Sequence, residues 1–370
     1  MTTIGQLTFH ASHNYGSVLQ AYALNRWLRD AGYDAEIINL RNAAQRHAYR
    51  IFKVKGKGIK RIFHFLYSLY SYPKLKRRAV NFEDFINHVL PITKEVYDNG
   101  NDLKGKVHYD IFVTGSDQVW NPACQDFESA YYLDFVDKDA KTIAYAPSLG
   151  RTEFNDEQLQ LIQQLLENID FISCREEEGA DVLRNLTTRP VTVVCDPVVL
   201  LGREAWDEFA GDIQWKEPYI LTYFLENNNG SKVCLKEIQK KTGFSVVSLN
   251  EDIRDFGKGY QCAFDASPRE FVGLFKHASF ILTNSFHATA FSTLFEKPFY
   301  TICASNTNVS NPNDSRKSSY LKTIGLTERL IHDDNLPPKD KWFELDYAAC
   351  QLKVEEFRKN SEQYLKNAMK

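Results

Sequence analysis

The sequence predicts an α/β fold of two Rossmann-like domains facing a cleft, with a helical, basic insertion in the first domain. Three observations predict it. Short β-branched and aromatic runs alternate with amphipathic helical patterns, as βαβ units with a mostly parallel sheet do. The 370 residues exceed what one hydrophobic core fills, at roughly 150 residues per domain. The alternation also restarts after Trp215, which separates two sets of strands.

In the first set the predicted strands are Ile4–Phe9, Ala35–Leu40, Asp110–Thr114, Thr142–Ala146, Phe171–Cys174 and Thr192–Cys195. Ser17–Asp30 and Asp156–Glu167 repeat apolar residues at i, i+3, i+4 and predict helices. Ile59–Tyr72 predicts a short aromatic helix stopped by Pro73, since proline lacks an N–H and clashes with the preceding turn. Ala79–Leu90 predicts another, and together they form the insertion, about 45–100. The second set predicts strands at Tyr219–Leu225, Ser245–Leu249, Phe280–Thr283 and Phe299–Ile302, with helices at Ser231–Lys241, Pro268–Lys276 and Phe286–Phe295. A final helix, Glu344–Met369, closes the chain, so the expected division is 1–205, 206–340 and 341–370.

Composition narrows the function classes. With 43% hydrophobic and 25% charged residues the chain falls in the globular range. Its formal charge of −3 argues against a general nucleic-acid binder. That balance conceals an asymmetry: between Ile37 and Phe82 there are twelve Lys and Arg and no acidic residue. Blocks of like charge often mark contact with an anionic surface. The seven cysteines are odd in number and contain no CxxC, which predicts reduced thiols without a disulfide framework or structural zinc. No signal-like N-terminus and no long apolar stretch are seen, so a cytoplasmic location is expected. No histidine or Asp-Asp pair has metal-ligand spacing, so neither a metal nor a bound cofactor is expected.

In open α/β sheets ligands bind beyond the carboxyl ends of the strands, so the loops there carry the candidate chemistry. The first strand ends in His10-Ala11-Ser12-His13-Asn14-Tyr15-Gly16-Ser17 and a helix follows, with Gly16 next to Ser17 as the expected N-cap. Free N–H groups there suit an anionic or hydroxylated ligand, and a plain tight turn explains the string equally well. Next, Thr114-Gly115-Ser116-Asp117-Gln118-Val119-Trp120 has the residue types of a sugar platform, three polar side chains followed by Trp120, with the carboxylate and amide pairing with hydroxyls and the indole packing on a pyranose face. A capped helix start is the alternative for Ser116 and Asp117. Arg175 ends the strand before Glu176-Glu177-Glu178; its planar fork fits a phosphate or carboxylate, or else a salt bridge to Glu176 or Glu178. Finally, Phe280–Thr283 runs into Asn284-Ser285-Phe286-His287, putting His287 in the first helical turn. A histidine there can titrate near neutral pH and act as a general acid, although a lone histidine is more often structural.

Taken together, the strings Leu7–Leu24, Asp110–Pro122, Tyr145–Gly150, Ser173–Gly179, Asp196–Leu200 and Thr283–Ala288 resemble the polysaccharide pyruvyl transferase family, in order, from residue 7 to about 300. The resemblance implies a GT-B-like fold and transfer of the enolpyruvyl-derived group of phosphoenolpyruvate to sugar hydroxyls as a pyruvate ketal. Phosphoenolpyruvate would be a co-substrate, and the acceptor a lipid-linked or nucleotide-linked sugar of a cell-surface polysaccharide precursor. By the family pattern His287 corresponds to the general acid and Arg175 to a cation that binds phosphoenolpyruvate. Asn14, Gly16, Ser17, Ser116, Trp120, Asn284 and Ser285 would line the site, and Asp117 would bind the acceptor or assist its deprotonation. Many members carry Arg two residues before the histidine, where this chain has Ser285. Arg316 and Lys317, in a Ser/Asn-rich stretch that reads as a loop, are candidate replacements.

Two alternatives accompany this expectation: a nucleotide-sugar glycosyltransferase on the same fold, and a non-catalytic glycan-binding protein. For the basic block, residues 50–78 are expected to form a peripheral membrane contact or a helical insertion packed on its own domain. Phe63, Leu66, Tyr67 and Tyr70 stand at helical spacing there, flanked by Lys and Arg.

Overall fold

The computed structural model describes residues 1–42, 59–137, 139–216, 218–225, 229–250, 259–303 and 312–370, with only the backbone for 59–67, 229 and 312–315. The first half is built on β1 (Thr3–Leu7), β2 (Asp34–Ile37), β3 (Ile111–Thr114) and β4 (Lys141–Ala144), in the parallel order β2-β1-β3-β4. The pair β5 (Ile172–Cys174) and β6 (Val191–Val193) extends it through a bridge from Ile143 to Phe171. The second half holds β7 (Tyr219–Tyr223), β8 (Ser245–Ser248), β9 (Gln261–Cys262), β10 (Phe280–Thr283), β11 (Phe299–Cys303) and β12 (Leu330–His332). Its order is β12-β11-β10-β7-β8-β9, again parallel throughout. Strands β3, β7, β10 and β11 are buried at every residue, the pattern of a parallel sheet covered on both faces. Two parallel α/β halves facing each other is the expected fold class.

Helices cover these sheets: α1 (Tyr15–Asp30), α2 (Ile59–His88), α3 (Asp156–Leu166), α4 (Glu177–Arg184), α5 (Pro197–Leu201), α6 (Arg203–Phe209), α7 (Asn229–Thr242), α8 (Pro268–His277), α9 (Phe286–Leu294), α10 (Pro312–Ile324) and α11 (Tyr347–Ala368). Helix α9 is buried along its whole length, so it lies inside the molecule between the sheet and its neighbours. One hydrophobic core holds residues of both halves, among them Ile4, Leu19 and Ile143 with Phe271, Ile281 and Phe291. Tyr15 of α1 stacks on Phe271 of α8 at 4.2 Å.

Three expectations are corrected here. Pro73 does not stop a helix: α2 runs through it as one element. Its ring sits on the solvent side, and the carbonyl it frees belongs to Leu69, which is itself half exposed, so water can satisfy the lost bond. The second half of α2 is anchored on both halves of the molecule, which outweighs the proline. The insertion is also shorter than 45–100, because 91–97 runs beside the first sheet through bridges from Ile37 to Ile92 and Leu40 to Tyr97. Third, Arg316 and Lys317 stand on α10 and not on a loop. Tyr320, Leu321 and Ile324 are buried there at helical spacing, and that anchoring overrides the Ser and Asn content.

The basic block falls partly outside the described residues, including Arg46, Arg50, Lys53, Lys55 and Lys57, as do the side chains of Phe63, Leu66 and Tyr67. In the described part, Lys74 Nζ donates to the Cys262 carbonyl (2.9 Å), Arg77 pairs with Glu270 (3.3 Å) and Arg78 donates to the carbonyls of His13 and Phe264. These cations strap the halves together. Among the described residues no helix is long and apolar enough to cross a membrane. All seven cysteines are free thiols, five of them buried.

Candidate active site

Each half contributes loops from its switch point, where the strand order reverses between β1 and β3 and between β7 and β10. Helix α1 begins after β1 with Asn14 as its cap, the side chain accepting from Gly16 N at 2.9 Å. Ser17, expected as the cap, stands inside α1 because the helix starts two residues earlier, and it donates from Oγ to Asp117 Oδ2 at 2.7 Å. Asp117 follows β3 in a left-handed conformation (φ 65°), and its Oδ1 accepts from Gln118 N at 2.9 Å. From the second half, β10 ends in Asn284 and Ser285. Asn284 Oδ1 accepts from Leu225 N (2.7 Å), and the Ser285 side chain caps α9 by accepting from Ala288 N. That cap sets His287 in the first turn of α9.

His287 packs directly against α1. A Cβ built on Gly16 would lie 2.1 Å from His287 Nδ1, so only glycine lets the start of α1 come this close to the ring. On the other side, His287 Nε2 is 3.5 Å from Asp196 Oδ2. Asp196 follows β6 and caps α5, its Oδ1 accepting from Val198 N at 2.9 Å. Arg175, at the end of β5, donates from Nη1 to the same Asp196 Oδ2 at 2.9 Å. Its Nε is 3.5 Å from Glu176 Oε2, and its guanidinium lies 4.6 Å from the centre of the Phe286 ring. Ser148 in turn holds Glu176 through a hydrogen bond from its hydroxyl. Of the two salt bridges open to Arg175 from sequence, the one to Glu176 forms, and the stronger partner is Asp196.

The electrostatics follow from burial and pairing. Burial by itself would raise the carboxyls of Asp196 and Asp117. The opposing charges of His287 and Arg175 outweigh it and hold both below the usual carboxylate range. Burial would lower Arg175, but Glu176, Asp196 and Asp117 lift it above the ordinary guanidinium value. Arg316 on α10 is lowered, first by burial and then by the like charge of Arg175. Lys317 Nζ donates to the Asn284 carbonyl at 3.2 Å, next to the position where the family pattern places its second Arg. Both α10 cations are thus buried in the same neighbourhood as Arg175 and His287.

The structure gathers Asn14, Gly16, Ser17, Asp117, Arg175, Asn284, Ser285, His287, Arg316 and Lys317 around one junction. Trp120 is a correction: it is fully buried, stacked on Tyr132 at 4.6 Å with its indole N–H donated to the Tyr131 carbonyl, so it supports the fold and offers no sugar platform. Ser116 is likewise wholly buried, with Oγ on the Ala146 carbonyl (2.8 Å) and on Asp196 (3.2 Å), so it serves the site from behind. Sequence reasoning assigned no role to Asp196. Asp196 had a usable signal, since an aspartate before proline just after a strand is a helix cap at the edge where ligands bind. Among the described residues no three His, Cys, Asp or Glu are grouped as a metal site would be.

Fold and site together define a two-lobed α/β protein that assembles one charged centre from the carboxyl edges of both sheets. The profile of the polysaccharide pyruvyl transferase family matches residues 14–304, and the chain belongs to that family of transferases. No curated protein matches it in sequence. Among solved structures it is similar to UDP-GlcNAc 2-epimerase from Methanocaldococcus jannaschii, at 12% identity and TM-score 0.46 over 96% of this chain and 92% of the other. It is also similar to S. aureus MnaA (12%, TM-score 0.48, 97% of each chain) and to MurG from Acinetobacter baumannii (10%, TM-score 0.41, 98% and 97%).

Proposed function

We propose that the protein transfers the enolpyruvyl-derived group of phosphoenolpyruvate onto two sugar hydroxyls of a cell-surface polysaccharide precursor, forming a pyruvate ketal. The observation that carries this reading is the meeting of His287 and Arg175, from opposite halves, on the Asp196 carboxylate in a chain of this family.

The chemistry asks for little else. His287 gives a proton to the methylene carbon of phosphoenolpyruvate, which leaves cation-like character at the central carbon. One sugar hydroxyl attacks that carbon and releases its proton, and the C–O bond to phosphate breaks with the electron pair leaving on inorganic phosphate. A second hydroxyl adds to the same carbon and loses its proton, closing the ketal. Arg175, with Arg316 and Lys317 of α10, supplies positive charge for the phosphate and carboxylate. The two α10 cations replace the Arg that this chain lacks at Ser285. Asp117, held ionised and oriented by Ser17, is suited to accept a hydrogen bond from an acceptor hydroxyl. Burial of the centre keeps water from competing for the cation-like carbon.

The test is incubation with phosphoenolpyruvate and extracted lipid-linked or nucleotide-linked oligosaccharides. Phosphate release is expected only with donor and acceptor together, accompanied by a mass gain in the glycan. His287→Ala is expected to keep the melting temperature within a few degrees while turnover falls at least about 100-fold. Phosphate release at normal rates from that variant sinks the general-acid role. Inhibition by nucleoside diphosphates without any response to phosphoenolpyruvate would replace the donor assigned here with a nucleotide sugar.

A further inference from the structure

We propose that Asp196 is the positioning residue of this site: its carboxylate sets Arg175 and His287 relative to each other and decides which ring nitrogen of His287 is left for the substrate. This deepens the reading above and rests on it for the identity of the substrate. Four groups converge on one carboxylate. Oδ2 accepts from Arg175 Nη1 (2.9 Å) and Ser116 Oγ (3.2 Å) and lies 3.5 Å from His287 Nε2, while Oδ1 accepts from Val198 N (2.9 Å). The backbone bond at α5 pins the carboxylate, and its side chain has no exposed surface. Asp196 comes from the first half and His287 from the second, so one anion registers the two sheets at the reacting centre.

Charge balance supports the same conclusion. A buried cation such as Arg175 is costly unless it is paired and hydrogen-bonded. Asp196 meets that need for Arg175 and is also the counter-charge nearest to Nε2 of His287. Burial opposes its ionisation, yet His287 and Arg175 keep the carboxyl well below the usual range. With Nε2 turned to Asp196, Nδ1 is the nitrogen left to deliver a proton. Nδ1 faces Gly16 at the start of α1, which approaches the ring this closely only because that residue has no side chain. Asp196 touches no reacting atom in this arrangement; it acts through its two partners.

The test uses the full chain with Asp196→Asn and Asp196→Glu. Asparagine keeps an oxygen for Val198 N and nearly the same volume but removes the charge. In protein labelled with 15N-histidine, the His287 Nε2 resonance, assigned among the nine histidines by its loss in His287→Gln, is expected to move in Asp196→Asn at constant pH. Turnover is expected to fall about 100-fold or more in kcat, with partial recovery in Asp196→Glu. An unmoved resonance overturns the proposal, and so does a moved resonance with unchanged kcat. If Asp196→Asn fails to fold, Asp196→Glu, which shifts the charge by one methylene, is judged by the same resonance. If the wild-type protein releases no phosphate from phosphoenolpyruvate, the donor reading fails alone. The resonance then still decides the role of Asp196, because it is recorded without any donor.

Discussion

His10 is wholly buried behind β1, with its ring 3.1 Å from Asn39 Oδ1 and 3.2 Å from the Thr8 carbonyl. Burial outweighs both contacts and pushes its pKa down from 6.5 to about 4. Between those values the unfolded chain binds a proton that the native chain does not, so stability rises with pH across the window. The contribution is complete above pH 6.5 and is lost as pH falls through about 4. A shift of this size corresponds to about 3 kcal/mol. Denaturant melts from pH 7 to pH 4 should show this loss, and His10→Asn should flatten it. An unchanged slope in the variant would assign the pH dependence to other groups. The same rule explains why the site carboxylates behave in the opposite way to His10. Asp117 and Asp196 are buried beside cations, so pairing outweighs desolvation, whereas His10 has only neutral partners within hydrogen-bond reach.

Helix α2 carries the least expected piece of architecture. Its basic second half crosses from the first sheet to the β9–α8 region of the second, and Arg78 is the pivot. The Arg78 guanidinium lies 4.7 Å from the Tyr15 ring and 4.8 Å from the Phe82 ring, and it donates to Tyr15 Oη (2.9 Å) and to the His13 carbonyl (3.0 Å). Asn81 adds a bond to the Asp265 carbonyl at 2.9 Å. Removing Arg78 deletes the hydrogen bonds it gives to the His13 and Phe264 carbonyls and strips two aromatic faces. Arg78→Ala should therefore cost about 2–4 kcal/mol, whereas Lys76→Ala, at an exposed position, should stay within about 0.5 kcal/mol. Chemical denaturation of the two variants checks this. Equal losses would show that the strap owes nothing to Arg78.

At the scale of the whole molecule the halves are one packed body. Beside one hydrophobic cluster within each half, a third runs through both, and α11 packs on it. Gln351 on α11 donates to the Thr293 carbonyl of the second half (2.8 Å), and Ser361 accepts from Cys195 N (2.8 Å) in the first. Tyr364 donates to the Ala144 carbonyl at 2.9 Å. Halves that share a core should unfold together. Calorimetry should give one transition with equal calorimetric and van't Hoff enthalpies, and two resolved transitions would contradict the shared core.

By itself the sequence determined the periodicity. Ten strands, the α9 start and the strand-end positions of Asp117, Arg175 and His287 were legible because each follows from local alternation, caps and turn residues. The strands missed were β9 and β12, the two edges of the second sheet. What only the tertiary structure decided is which of those ends meet. Trp120 turned inward because the stack with Tyr132 and a partner for its N–H lay in the core. Pro73 was absorbed because contacts 100 residues or more along the chain outweighed its local cost. Asp196 became the centre of the site because buried charges must find opposite charges wherever the fold brings them, and sequence separation says nothing about that distance.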